Sequence, residues 1–147
     1  MKASEIRAEL LEQHAQIRAL AEQAREAATR AGAGSRDELR RSVTRLGEVL
    51  RAHNLREEEA LREIVRTIDA WGPVREEIMD EEHVAEHLEL QAALFGTNAA
   101  SDAETAATVV LSVLVRILAH MTHEEAVILS ADVLRDDVLL ARDGMGG

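Results

Sequence analysis

The chain has 147 residues, 17 Lys and Arg against 28 Asp and Glu for a net charge of -11, 46% hydrophobic residues, six His and no Cys. Its length suits one domain with a core of ordinary size, and its acidic balance argues against nucleic-acid or anionic-membrane partners, which are held through clustered Lys and Arg. The lack of cysteine excludes disulfides, iron–sulfur clusters, thiolate zinc sites and thiol catalysis. No apolar run is read as approaching the roughly 18 residues of a membrane span, and the acidic, amphipathic N-terminus differs from a signal peptide. A cytoplasmic protein is expected.

Ala, Leu, Glu and Arg favour helix nearly throughout, and winding the chain at the helical period gives each segment an apolar stripe. The first helix is predicted over 4–30, with Ala3, Ile6, Leu10, His14, Ile17, Ala21 and Ala24 on one face. Gly32 and Gly34 break it, and Ser35 with Glu38 forms a capping box that opens a second helix over 37–69. That helix aligns Val43, Leu46, Leu50, His53, Glu57, Leu61, Ile64 and Ile68. Gly72 suits a helix stop and Pro73 the first position of a third helix over 73–95, with Glu76 and Glu77 in its first turn. Met79, His83, His87, Leu90 and Leu94 share a less sharply defined face there.

Gly96 then reads as a C-terminal cap, and Ser101 with Glu104 as a second capping box. A fourth helix over 102–130 aligns Ala106, Val110, Val113, Ile117, His120, Glu124 and Val127. Short connections between long helices predict an all-α, up-down-up-down four-helix bundle with its core in 4–130. The pattern allows a short fifth helix over 131–142, leaves 143–147 as a disordered tail, and sets Trp71 over a bundle end.

Five of the six histidines thus fall on apolar faces, each near the middle of its helix. Glu57 and Glu124 fall there too, and an ionised carboxylate on such a face has a large desolvation cost unless a cation meets it. Both follow a His at i+4, which stacks the two side chains, while Glu58 and Glu125 turn about 100° away to a flank or the surface. His83 and His87 share the same spacing. Five imidazoles and two carboxylates converging in a bundle point to first-row metal ions, two rather than one. If both carboxylates bridge, then with one bridging oxide or hydroxide the set fills all but one of the positions that two octahedral ions offer. His123 is read as a surface residue or a neighbour of the site.

These residues resemble the hemerythrin-like (HHE cation-binding) family over about 5–130: one His in the first helix, HxxxE in the second, HxxxH in the third and HxxxEE in the fourth. The resemblance implies a non-haem centre of two iron ions, oxo- or hydroxo-bridged. It implies His14, His53, His83, His87 and His120 as terminal ligands and Glu57 and Glu124 as bridges. The animal oxygen carriers of the family count five residues from the last His, a register that would select Glu125 in place of Glu124. The expected ligand is O2, or peroxide or nitric oxide, in carriage, storage, sensing or detoxification, with catalase-like chemistry as an enzymatic variant and a monomer or homodimer as the assembly. Two alternatives remain: a metal-free helical interaction bundle and a ferritin-like iron oxidase or store. The latter uses Glu-x-x-His pairs, and no His here has Glu three residues before it. A zinc protease is weaker still, since His123 and Glu124 lack the second His of HExxH.

Overall fold

The computed structural model describes residues 2–31, 36–68, 72–99, 102–130, 134 and 136, with backbone alone at 65–68, 72–81 and 99. Four long helices run in chain order: α1 (Ala3–Arg30), α2 (Arg36–Ile68), α3 (Gly72–Gly96) and α4 (Ala103–Val127), with a 3-10 turn at Thr97–Ala99. There is no strand among the described residues. Each helix packs chiefly on its neighbours in a ring: α1 on α2, α2 on α3, α3 on α4 and α4 on α1. This is the expected up-down-up-down bundle, because short connections leave consecutive helices antiparallel and adjacent.

Local chemistry sets the helix ends. At the start of α1 the Glu5 carboxylate accepts from the Lys2 backbone N–H at 2.7 Å, satisfying one of the donors that a helix start leaves open. The α4 cap is Asp102 rather than Ser101, its carboxylate accepting from Thr105 N at 2.7 Å and from the Thr105 hydroxyl at 2.9 Å. Gly96 is not a left-handed cap, since no described glycine has positive φ. Instead the chain tightens into the 3-10 turn, where the Thr97 hydroxyl donates to Leu94 O at 2.7 Å. Ser35, Trp71, the tail 143–147 and nearly all of the segment 131–142 lie outside the described residues.

The predicted stripes are the buried faces. All of the α1 stripe is buried, as is that of α2 through Ile64; the side chains of Ile68 and Met79 lie outside the description. Val127 differs, being 50% exposed. Helix α4 ends there, and Leu129, fully buried just beyond, takes the inward place. The core splits into two apolar clusters. One joins Ile17, Leu46, Leu50, Leu90, Leu94, Val113 and Ile117, and the other joins Ile6, Leu10, Leu61, Ile64, Leu129 and Leu134. His14 sits between Leu10 and Ile17 on α1, and His53 and Glu57 between Leu50 and Leu61 on α2. The polar layer is therefore flanked by apolar material above and below.

Helix α4 also departs from the hydropathy expectation. It contains an 18-residue window of mean hydropathy 1.6, long and apolar enough to cross a membrane by length and composition. Its hydropathy is not confined to the core, because the outward side carries exposed Val109, Leu111 and Val115 beside Thr108, Ser112 and the charged Arg116.

Candidate metal centre

The seven residues singled out by pattern meet in one layer. His14, His53, His83, His87, His120, Glu57 and Glu124 are all buried, from 0% to 8% exposed. They form two groups able to hold a cation: His83, His87, His120 and Glu124 in one, His14, His53, Glu57 and Glu124 in the other, with the ligand atoms of each group within 4.8 Å of one another. Glu57 faces both ways. Its Oε2 lies 2.9 Å from His53 Nε2 and 3.4 Å from His14 Nε2, while its Oε1 lies 2.8 Å from His83 Nε2 and 3.5 Å from His87 Nε2. Glu124 mirrors it, with Oε1 at 2.9 Å from His120 Nε2 and 3.6 Å from His14 Nε2, and Oε2 against His83 and 3.6 Å from His87.

The electrostatics follow from that packing. Burial pushes the Glu57 carboxyl up, yet contacts with Glu124, His14, His53 and His83 together hold it well below the usual carboxylate range. Burial and Glu57 both push Glu124 up, but His120, His83 and His87 bring it below its ordinary value. In the imidazoles the balance is reversed. Burial lowers His83 and His87, and the two carboxylates outweigh it, raising His83 to about 10 and His87 to about 9. Without a bound cation, protonated His83 and His87 thus face the ionised carboxylates of Glu57 and Glu124.

That compensation is incomplete. Both oxygens of Glu57, Oε1 of Glu124 and Nε2 of His87 and His120 are buried with no aligned hydrogen-bond partner. Each unsatisfied buried polar atom costs about 1–3 kcal/mol, so a cluster of them pointing at a common centre is a place that a cation fills. Imidazole with carboxylate is the donor set suited to iron, manganese or zinc. The residues present fit a pair of such ions.

Sequence reading placed Glu58 and Glu125 on the flank but did not find what they touch. Four outer groups, each one residue from a member of the layer, reach across to an imidazole of the next helix. Gln13 Oε1 on α1 lies 2.7 Å from His53 Nδ1 on α2. Glu58 on α2 lies 3.3 Å from His87 Nδ1 on α3, and Glu86 on α3 lies 2.8 Å from His120 Nδ1 on α4. Glu125 on α4 closes the circuit, 3.7 Å from His14 Nδ1 on α1, while Arg18 forks onto both of its oxygens. At His53 and His87 the contact is a hydrogen bond, and an acceptor there keeps the proton on Nδ1 and leaves Nε2 facing the centre, whereas Glu86 and Glu125 approach His120 and His14 without an aligned bond. His123 is exposed and lines, with Glu82, Glu86 and Glu89, a groove of about 620 Å³ between α3 and α4 that reaches His120.

Comparison with known proteins agrees with the geometry. A family model described as the hemerythrin HHE cation-binding domain matches residues 5–131. No curated protein and no solved structure matches the chain.

Proposed function

Since the chain belongs to the hemerythrin HHE cation-binding family, we propose that it is a non-haem di-iron protein that binds O2 or a related small ligand. His14, His53, His83, His87 and His120 are its terminal ligands, and Glu57 and Glu124 its bridges. The observation that carries this reading is the division of seven buried residues into two groups that share Glu124 while Glu57 faces both. A pair of ferrous ions would supply the electrons that reversible O2 binding requires.

The chain's own part is to seat, neutralise and insulate. Glu57 and Glu124 bring two negative charges to offset bound cations in a layer where water cannot. Leu10, Leu50, Leu90, Leu94 and Ile117, each 2% exposed or less, close it off from solvent along the bundle axis. Gln13 and Glu58 fix the His53 and His87 rings through Nδ1, so that Nε2 of each faces the centre. Carriage, storage, sensing and the removal of peroxide or nitric oxide share this layer and differ in how the bound ligand leaves.

A metal-free interaction bundle is less well supported, because it would leave the buried oxygens of Glu57 and the Nε2 atoms of His87 and His120 unsatisfied. A ferritin-like store would draw on Glu-x-x-His pairs that this sequence lacks.

The test loads the chain with ferrous iron under anaerobic conditions and then admits O2. The expected result is a visible charge-transfer band that appears with O2 and fades when O2 is removed. A spectrum indifferent to O2 overturns the O2 reading, and a response to nitric oxide or peroxide alone transfers the site to that chemistry.

A further inference from the structure

The two cation positions have unlike surroundings, and the difference lies in charge. Behind the His83, His87 and His120 position stand two carboxylates, Glu58 at 3.3 Å from His87 Nδ1 and Glu86 at 2.8 Å from His120 Nδ1. Behind the His14 and His53 position stand an uncharged amide, Gln13, at 2.7 Å from His53 Nδ1, and a carboxylate already engaged elsewhere. That carboxylate is Glu125. Arg18 Nη1 donates to it at 2.7 Å and Arg18 Nη2 donates to its second oxygen, leaving His14 Nδ1 at 3.7 Å. The fork sets a guanidinium against both oxygens of that carboxylate, so the two charges offset each other.

The anion hydrogen-bonded at His87 Nδ1 makes that imidazole a stronger donor at Nε2 than the neutral amide at His53 Nδ1 makes its own. The negative charges of Glu58 and Glu86 also attract a cation directly, Glu58 at 13% exposure more strongly than Glu86, which at 52% exposure is screened by water. Both effects favour the same position.

We propose that these outer groups make the two positions unequal, so that a divalent cation fills the His83, His87 and His120 position first and the His14 and His53 position second. Glu58 and Glu86 are positioning residues that tighten the first position, and Arg18 weakens the second by neutralising Glu125. This rests on the reading of the layer as a two-cation site, and it goes further by ordering the sites. The α3–α4 groove that reaches His120 puts the first position next to solvent, which agrees with its filling first.

The test titrates the metal-free full-length chain with Co2+ at fixed pH, reading heat and the visible cobalt spectrum. The wild type is expected to bind in two resolved steps separated by at least about tenfold, the scale on which outer partners change metal affinity. His87→Gln is expected to delete the tight step and His53→Gln the weak one. Gln13→Glu and Arg18→Gln each place unbalanced negative charge behind the second position and are expected to narrow the gap by about tenfold, while Glu86→Gln narrows it by weakening the first step. Arg25→Gln is the control for general charge, because Arg25 lies on the same helix but pairs with the exposed Glu22.

Two Co2+ bound in equal steps would overturn the ordering and leave the two-cation reading intact. So would a step ratio unmoved by Gln13→Glu and Arg18→Gln, or one moved as far by Arg25→Gln. A chain that binds no Co2+ at all would instead overturn the two-cation reading on which the ordering rests.

Discussion

Replacing Glu124 with Ala is expected to lower metal affinity by more than about 100-fold, beyond the roughly 10–100-fold cost of losing an outer partner, and to leave less than half the wild-type metal after gel filtration. The reason is the sharing. Glu124 is the one residue common to both cation groups, with one oxygen 2.9 Å from His120 Nε2 and the other against His83. Its neighbour Glu125 is 26% exposed, pairs with Arg18, and approaches the layer only at His14 Nδ1. Glu125→Ala is therefore expected to keep both ions, with an affinity loss within the outer-partner range. Metal analysis of the two variants side by side reads the difference. The reverse order would restore the five-residue register of the animal oxygen carriers and contradict the packing of α4.

The second large effect is thermal. Removing bound metal is expected to lower the melting temperature by about 10 °C while leaving the chain folded. At a free metal concentration about a thousand times Kd, binding to the native state stabilises by roughly 4 kcal/mol. For a chain of this size each kcal/mol moves the melting temperature by about 2–4 °C. Full unfolding is not expected, because the layer without metal is compensated in part from within: His83 and His87, raised to about 10 and about 9, stay protonated against Glu57 and Glu124 at neutral pH. The apolar clusters on either side hold the helices together independently of the layer. Differential scanning calorimetry before and after chelation measures the drop. An unchanged curve after verified metal removal would contradict the link between site and fold.

The layer itself was legible because helical periodicity is a local property. A His and a Glu four residues apart on a stripe of Leu and Ile declare their direction without reference to any other helix, as His53 with Glu57 and His120 with Glu124 do. The outer circuit was not legible for the opposite reason. Gln13, Glu58, Glu86 and Glu125 each lie one residue from a member of the layer, and periodicity turns them about 100° aside. Which neighbouring imidazole they meet depends on the order of helices around the bundle, and a helical wheel does not contain that. The buried Asn54, whose side-chain amide donates to Gln91 Oε1 at 3.1 Å, was missed likewise, since its partner sits on α3.

Helix ends failed at the level of single residues. Ser101 with Glu104 and Asp102 with Thr105 are adjacent capping candidates of the same spacing, and the carboxylate of Asp102 accepts both from Thr105 N and from its hydroxyl. At the other end of α4 the periodic pattern carried Val127 inward, but the helix stops there and Leu129 fills the place. Periodicity predicts direction only while the helix continues.

The most direct measurement is the iron content of the chain purified in air and reconstituted with iron, taken together with its ultraviolet and visible spectrum. The account predicts about two iron ions per chain, one for each of the two four-residue groups able to hold a cation, and a ligand-to-iron charge-transfer band that Glu124→Ala removes. Fewer than about one iron per chain after reconstitution, with no such band, would contradict it.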